Sequence, residues 1–471
     1  MDSWKVKLED KLMRIAIIGG GLTGLTAGYY LSKAGHSISI FEKEANLGGL
    51  ASCFQQKDWQ WPLEFYFHHI FTSDYEIINL AKKLGIGEKI FFLKPKTSIF
   101  KNSKISQFDS PTSVLKSPLL SPMEKLRTSL VTAYLKYLIK TPRTVAGWSK
   151  AEAMTPPRWK NWKLEKVTAT KWLRKFYGQK TYATIWEPLL KSKFGNQFKK
   201  ISMTWFWARI KKRSSSLGYF EGGFQILIDS LAKKIKTANG QILTNFEAKN
   251  LNDIYHYSDF DKLIFTTPIS VFLKITKDKL SPRYVNQLES LEMIGAINLV
   301  LVLKEKFLTD NTYWLNINEQ NFPFVAVVEH TNFIDPKYYG GNHILYVGGY
   351  YPQNHPFFKM TKAEIFNEFL PFLKKINPKL NFKLCTLHFA LFANKYAQPI
   401  IPLNYSKLIP SIKTPIPNVY LATMHQIYPW DRGTNYAVEL GKKVAYEIDN
   451  RNCHSERSPA PDGAGRSRRI F

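Results

Sequence analysis

A glycine-rich turn near the N-terminus is the feature that most constrains how this 471-residue chain can fold. An isoleucine-rich run from Arg14 to Ile18 leads directly into Gly19-Gly20-Gly21-Leu22-Thr23-Gly24, a G-x-G-x-x-G pattern. Apolar residues then recur at helical spacing, and a second apolar run ends at Glu42. The glycines alone are a weak signal of nucleotide binding. The signal becomes far more specific when a strand, a helix, a second strand and an acid accompany them within about thirty residues. The pattern predicts a βαβ unit that binds a dinucleotide.

Each position of this turn has a physical role in the prediction. Gly19 permits the tight turn, Gly21 lets a pyrophosphate approach the backbone, and Gly24 lets the helix pack closely on the strand. The N–H groups at the start of the helix face the diphosphate, and Glu42 is placed to accept hydrogen bonds from an adenosine ribose. The predicted cofactor-binding residues of this unit are Gly19, Gly21, Leu22, Thr23, Gly24, Glu42 and Lys43.

A second glycine pair, Gly48-Gly49, follows shortly after the acid. Together with the first motif it resembles the extended fingerprint of the flavin amine oxidase clan, which includes protoporphyrinogen oxidases, phytoene desaturases and UDP-galactopyranose mutases. In that clan the glycine pair lets the chain pass close to the pyrophosphate and ribityl parts of FAD. The resemblance therefore implies FAD rather than NAD as the cofactor, with Gly48, Gly49, Leu50 and Ala51 among its contacts.

Two later segments resemble those that complete the FAD domain of this clan. Residues 219–248 resemble its glycine-led helix and the following strand, whose backbone contacts the adenine, with Ala248 at the contact position. Near the C-terminus, an apolar run over residues 418–423, a loop and a helix from Thr434 resemble the segment that closes the flavin site. Many oxidases carry a Gly-Asp pair where this chain has Ala422-Thr423. The implied contacts are Asp431, Gly433, Thr434 and Asn435.

The predicted fold class is α/β, with a Rossmann-like FAD-binding domain of the GR2 type built on a central parallel sheet. A second, α+β substrate domain is expected on a mixed or antiparallel sheet. We predict a discontinuous FAD-binding domain over 13–75, 215–269 and 396–449, a substrate domain over 76–214 and 270–395, an N-terminal extension over 1–12 and a disordered tail over 450–471.

The aromatic stretch 59–74 is similar to the segment of UDP-galactopyranose mutases that places a His-Ile-Phe beside the flavin ring. On that alignment His69 lies next to the flavin, where it can hydrogen-bond or transfer a proton. The alternative is a pair of histidines packed within an aromatic core. Lys395 and Tyr396, which resemble the clan's return strand, are further candidates. No catalytic acid or base is assigned.

The formal net charge is +29, and much of it falls between Lys94 and Arg213. This surplus is compatible with an anionic membrane, an anionic substrate or a plain solvated surface. Residues 117–140 form a candidate amphipathic helix that either lies on a membrane or packs on its own domain. No nucleic-acid-binding module accompanies the charge, so nucleic acid is not an expected partner. Three cysteines without pairing or ligand spacing, and no long apolar stretch, favour a cytoplasmic protein without a metal site.

The resemblance implies an FAD-dependent oxidoreductase that takes a hydride from an unidentified small-molecule or lipid-like substrate to flavin N5, with peripheral contact to an anionic membrane as an option. One alternative is a mutase acting on a nucleotide sugar. Arg209, Arg213 and Arg432 are then loose candidates for the diphosphate clamp. A non-catalytic lipid-binding protein like the Rab GDP-dissociation inhibitors is disfavoured because the glycines and Glu42 are intact.

Overall fold

A computed structural model describes residues 12–139 and 162–449, so the predicted tail and all but Leu12 of the predicted extension lie outside the described residues. The strands are β1 (Arg14–Ile18), β2 (Ser37–Phe41), β3 (Cys53–Phe54), β4 (Leu63–Glu64), β5 (Ile70–Phe71), β6 (Ile90–Leu93), β7 (Lys96–Lys101), β8 (Lys104–Gln107), β9 (Leu217–Phe220), β10 (Gln241–Leu243), β11 (Lys262–Phe265), β12 (Met293–Leu303), β13 (Thr312–Ile317), β14 (Ala326–Glu329), β15 (His343–Tyr351), β16 (Thr386–Pro399) and β17 (Val419–Leu421).

The α-helices are α1 (Leu22–Lys33), α2 (Tyr75–Leu84), α3 (Pro111–Lys116), α4 (Pro122–Ala133), α5 (Ala169–Tyr177), α6 (Gln179–Thr181), α7 (Glu187–Phe194), α8 (Met203–Lys212), α9 (Gln225–Thr237), α10 (Leu251–Tyr255), α11 (Ile269–Thr276), α12 (Pro282–Glu289), α13 (Lys362–Ile376), α14 (Phe382–Cys385) and α15 (Thr434–Ile448). No described helix is long and apolar enough to cross a membrane.

Five strands form a parallel sheet in the order β10-β2-β1-β11-β17. β1 lies at the centre, and four of its five residues are buried, as expected of a strand covered on both faces. The strands come from widely separated parts of the chain, so the sheet is complete only when β17, near the C-terminus, has joined it. Helices α1 and α9 pack on the sheet, and α1 also packs against α9 and α15.

A seven-stranded sheet has the order β16-β12-β15-β14-β13-β7-β8. Its pairs are antiparallel except β13 with β7, which is parallel, so the sheet is mixed. The predicted α/β class, with a parallel sheet and a separate mixed sheet, is thereby confirmed. The residue boundaries of the two domains stay a prediction.

Some elements are shorter than their sequence patterns indicate. β10 covers only the first three residues of the predicted strand 241–248, because Asn245 adopts a left-handed backbone conformation (φ 56°) that ends an extended run. The amphipathic segment 117–140 is helical only from Pro122, where Ser121 and Glu124 form a capping box. After Ala133 it continues as a wider turn of π-helix over Tyr134–Leu138.

Candidate functional site

Two glycine loops meet at the carboxyl end of the parallel sheet. The N–H of Gly48 donates to the carbonyl oxygen of Gly20 (2.9 Å), and Gly48 forms a parallel bridge with Gly21. Gly48 and Gly49 both have left-handed backbone conformations, with φ of 108° and 61°, which other residues rarely adopt. The contact explains why the second glycine pair follows the first motif: it folds back onto the start of α1.

Gly21, at the start of α1, is only loosely surrounded. A Cβ atom added there would meet nothing nearer than the carbonyl oxygen of Gly48 and the Cα of Gly49, both at 3.9 Å. Within residues 12–139 and 162–449 no side chain caps this helix, so the N–H groups of its first turn, at Leu22 and Thr23, have no side-chain partner there. An open approach to unpaired N–H groups at a helix N-terminus fits a diphosphate. The residues present therefore suit a dinucleotide cofactor.

Glu42 is buried at the end of β2 and is held from two sides. Its Oε2 accepts a hydrogen bond from the N–H of Gly20 (2.7 Å), and its Oε1 accepts one from the N–H of Glu44 (2.9 Å). Each carboxylate oxygen has a second lone pair, so the group can still accept from a ribose hydroxyl. Lys43, by contrast, points to solvent and pairs with Glu44 (2.9 Å).

The predicted adenine-contacting segment lies against this acid. The N–H of Phe246 donates to the carbonyl oxygen of Glu42 (2.9 Å), and the N–H of Asn245 donates to that of Glu44 (3.2 Å). Ala248 follows and is buried. The structure thus brings Ala248 into the neighbourhood of the ribose acid, although not as part of a strand.

Two of the predicted C-terminal contacts have partners within the protein. The Oδ1 of Asn435 accepts a hydrogen bond from the N–H of Ile77 (3.1 Å), which caps α2. Asp431 pairs with Arg209 and accepts a hydrogen bond from Nε1 of Trp205 (2.9 Å). Thr434 is buried at the first position of α15, and Gly433 is extended rather than left-handed. Gly433 itself is exposed, and a Cβ atom there would meet only the ring of Tyr436, at 3.9 Å.

Asp431 belongs to a cluster of basic side chains. Its Oδ2 lies 3.7 Å from Nζ of Lys193, whose side chain is largely buried and lies over the rings of Trp205 and Tyr350. Lys193, Arg209 and Arg432 together hold the pKa of Asp431 well below its usual range, against the opposing effect of burial. We call Lys193, Arg209, Arg213, Arg432 and Asp431 the basic cluster. Its cations outnumber its acid.

His68 and His69 lie just before β5 and next to the basic cluster. Burial lowers the pKa of His68 to about 4 and that of His69 to about 3, with Arg432 acting further on His68 and Arg213 on His69. Both imidazoles are therefore neutral near pH 7. The Nδ1 of His68 lies within hydrogen-bonding distance of the carbonyl oxygen of Tyr66. The buried Nδ1 of His69 has no hydrogen-bond partner among the described residues.

Lys395 and Tyr396 lie in an irregular part of β16. The pairing of β12 with β16 shifts register between Ile294 and Ala296, opposite these residues. Gly295 makes the irregularity possible, since a Cβ atom there would stand 2.9 Å from the Cα of Lys395. Lys395 is exposed. Within residues 12–139 and 162–449, neither candidate makes a hydrogen bond, ion pair or ring contact with His69, so no direct contact joins the two predicted sites.

One buried acid, Glu64, was not predicted from the sequence. Both of its carboxylate oxygens accept from the hydroxyl of Tyr219 (2.8 and 2.7 Å), and Oε1 also accepts from the N–H of Phe224 (2.8 Å). Burial raises the pKa of Glu64 to about 7. The only sequence signal was an acid within the aromatic stretch 59–74. Its hydrogen bonds tie β4 to β9 and to the start of α9, which makes it a structural anchor beneath the site.

Comparisons with known proteins agree with this architecture. The family model for flavin-containing amine oxidoreductases matches residues 22–449. The chain is 24% identical over 361 residues to a 15-cis-phytoene desaturase of Capsicum annuum, a match that covers 70% of this chain and 59% of that relative. The chain thus spans less than two thirds of the relative's length.

Solved structures show the same fold. A candidate protoporphyrinogen oxidase from Exiguobacterium sp. 255-15 superposes with a TM-score of 0.68 at 16% identity, covering 93% of this chain and 99% of that one. A reduced UDP-galactopyranose mutase gives a TM-score of 0.68 at 13% identity, with coverages of 93% and 94%. The match of the family model over most of the chain, together with the glycine loops and the parallel sheet, shows that the chain belongs to the family of flavin-containing amine oxidoreductases, with FAD as its cofactor.

Proposed function

We propose that this protein is an FAD-dependent oxidoreductase that transfers a hydride from a small-molecule or lipid-like substrate to the flavin. The contact between Gly21 and Gly48 at the uncapped start of α1 carries the proposal, because it forms an open cradle for the FAD diphosphate. Membership of an oxidoreductase family supports it. The relative named for phytoene supports a lipid-like substrate as one option.

When bound, FAD supplies the two-electron acceptor, with N5 as the position that takes the hydride. The protein's own contribution is binding and orientation. The N–H groups at the start of α1 would bind the diphosphate, Glu42 would accept a hydrogen bond from the ribose, and the positive end of the α15 dipole would stabilise negative charge on the flavin. The remaining proposed contacts are Lys43, Gly48, Gly49, Leu50, Ala51, Ala248, Asp431, Gly433, Thr434 and Asn435, of which Asp431 and Asn435 contribute only if their present partners are exchanged.

His69 is the residue we propose to place beside the flavin. Its imidazole is neutral, and its free Nδ1 can accept or donate a hydrogen bond to flavin or substrate according to the tautomer. A pKa of about 3 makes it a poor proton carrier near pH 7, so we assign it a hydrogen-bonding role. Lys395 and Tyr396 stay candidates for the entrance of the site.

The visible spectrum of the purified protein tests the cofactor assignment. We expect flavin absorption bands and the release of FAD on denaturation, followed by bleaching of the bands when a reducing substrate is added without oxygen. A colourless protein that cannot be reconstituted with FAD would contradict the proposal. Release of FMN instead of FAD would contradict the role assigned to Glu42, because FMN has no adenosine ribose.

A nucleotide-sugar mutase is the second candidate function. The basic cluster favours it, since guanidinium groups bind diphosphates through paired N–H donors. Arg432 is held by Gln398 (3.2 Å) and Tyr350, which would fix its orientation toward such a ligand. Saturable binding of a UDP-sugar, with turnover that leaves the redox state of the flavin unchanged, would favour the mutase. No binding of UDP-sugars would exclude it.

We further propose that α4 and the turn after it contact an anionic membrane. Apolar side chains spaced along one face are exposed rather than packed on the protein, Lys125 lies among them, and Lys116 precedes them at the end of α3. Exposed apolar residues flanked by lysines fit anionic lipid headgroups. The exposed residues are Met123, Leu126, Leu130, Tyr134, Tyr137 and Leu138.

Co-sedimentation with lipid vesicles tests this contact. We expect binding to phosphatidylserine-containing vesicles and little binding to phosphatidylcholine alone. The double change Leu126→Glu and Leu130→Glu should abolish it, while Leu387→Glu, at an exposed leucine on β16, should not. Equal sedimentation of the double variant and the control would contradict the proposal.

We also propose a cytoplasmic location. Cys53 and Cys385 are buried free thiols, as is usual in a reducing compartment. Fractionation of source cells with an antibody against the protein would test the location.

A further inference from the structure

Arg213 lies beside β5 because the segment after α8 runs alongside the residues that follow that strand. The hydroxyl of Ser73 donates to the carbonyl oxygen of Lys212 (3.0 Å), and the N–H of Thr72 donates to Oγ of Ser214 (3.2 Å). A little further along, β5 pairs with β9. Arg213 is thus anchored on both sides, next to the strand that begins immediately after the histidine pair.

Arg209 and Arg213 share one face at the C-terminal end of α8, since they are one helical turn apart. Both guanidinium groups lie close enough to His69 to help lower the pKa of its imidazole, although burial is the larger cause. The unpartnered Nδ1 of His69 therefore lies near two cations. Like charges at this spacing repel each other, so the arrangement needs an anion or a compensating contact.

Within residues 12–139 and 162–449, the guanidinium of Arg213 makes no hydrogen bond or ion pair. More than a third of the residue is accessible, yet burial and, to a smaller extent, the neighbouring Arg209 lower its pKa to about 10. The guanidinium can therefore be reached from solvent, and no carboxylate among the described residues is paired with it. The carboxylate of the basic cluster, Asp431, already pairs with Arg209 and Lys193. Asp109 offsets part of the charge of Arg213 only at longer range.

We propose that Arg209 and Arg213 bind an acidic group of the substrate, a carboxylate or a phosphate, and so hold the rest of the substrate against His69. The inference deepens the function proposed above and rests on it, because that function places the flavin beside His69. A guanidinium presents paired N–H donors that match two oxygens of such a group. A wholly uncharged hydrocarbon would leave the Arg213 charge without a partner in a poorly solvated place.

The test measures anion binding to the FAD-loaded protein by titration calorimetry, with inorganic phosphate, pyrophosphate and succinate as probes. Arg213→Gln removes the charge while keeping a polar side chain of similar shape. Arg283→Gln, at an exposed arginine on α12 outside the basic cluster, is the matched control. We expect the Kd of the preferred probe to rise about tenfold or more in Arg213→Gln and to stay within about twofold in Arg283→Gln.

A preference for the phosphate probes would identify a phosphate-bearing substrate, and a preference for succinate a carboxylate-bearing one. Arg213→Lys keeps the charge but not the paired donors, and we expect it to recover part of the anion affinity. Such a recovery would show that the loss in Arg213→Gln is not caused by misfolding. Equal affinities in wild type and Arg213→Gln, or no binding of any probe, would overturn the inference.

Two outcomes distinguish a role of Arg213 in substrate binding from a role in cofactor binding. Loss of FAD from Arg213→Gln with unchanged anion affinity would show that Arg213 contacts the cofactor, and would also overturn the inference. Failure of the wild-type protein to hold FAD would instead overturn the proposed function. The calorimetry of that same protein would still report whether Arg213 binds an anion.

Discussion

Gly24 lies so close to Gly19 that a Cβ atom on Gly24 would overlap the Gly19 carbonyl oxygen, and it would also stand 2.9 Å from Oγ1 of Thr266. Gly21, in the same motif, has room for a Cβ atom, whose nearest neighbours would lie at 3.9 Å. The glycines of one turn therefore serve different purposes. Gly24 is required for the fold, because it sets the distance between α1 and β1, whereas Gly21 is required for the ligand.

We predict opposite effects of alanine at these two glycines. Gly24→Ala should destabilise the protein by about 2 kcal/mol or more, because the added methyl group forces α1 away from the sheet. Gly21→Ala should leave the unfolding temperature of the FAD-free protein unchanged but weaken FAD binding at least tenfold, because the methyl group occupies the approach of the diphosphate. Thermal unfolding with and without FAD checks both. An FAD affinity unaffected by Gly21→Ala would contradict the proposal that the diphosphate binds at Gly21.

Glu42→Gln should weaken FAD binding about tenfold or more. An amide nitrogen facing the N–H of Gly20 or of Glu44 cannot accept its hydrogen bond, and charge-assisted hydrogen bonds of this kind contribute about 1.5–3 kcal/mol. The measurement is the Kd of FAD from quenching of flavin fluorescence. Glu44→Gln, at an exposed acid on the same loop, should leave that Kd within about twofold of wild type.

Asp431→Asn should destabilise the protein by about 3 kcal/mol, at the low end for a broken buried ion pair because Arg209 is partly exposed. The pKa of Asp431 is lower in the folded protein than in the unfolded chain. Its contribution to folding stability is therefore fully present above the pKa of the unfolded state and is lost as the pH falls toward the folded-state pKa. Urea unfolding at pH 7 and pH 3 checks this. The wild type should lose more stability than Asp431→Asn over that interval.

Glu64 should make stability fall as pH rises from about 4.5 to about 7. Its folded-state pKa is raised to about 7, so the folded protein keeps a proton that the unfolded chain has already released. Asp74 and Glu329 have raised pKa values as well, so the informative quantity is the difference between wild type and Glu64→Gln. That difference in unfolding free energy should change by a few kcal/mol across the interval. A pH-independent difference would mean that Glu64 is ionised in the folded protein.

The βαβ unit could be predicted because its signals are local. Gly19 to Gly24, the strands around them and Glu42 follow one another along the chain, and the covalent backbone alone brings them together. The position of the second glycine pair could be predicted as well, since the short loop after β2 can fold back onto α1. Family resemblance then supplied the cofactor and the fold class.

The partners of charged and polar side chains were decided only by the tertiary structure. Asn435 caps α2 and Asp431 pairs with Arg209, and each contact joins residues more than two hundred positions apart in the chain. No local pattern encodes such pairs, because they depend on how the two sheets and the helices between them pack. For the same reason the proximity of Arg213 and His69 could not be predicted from the sequence. It arises where the segment after α8 meets β5.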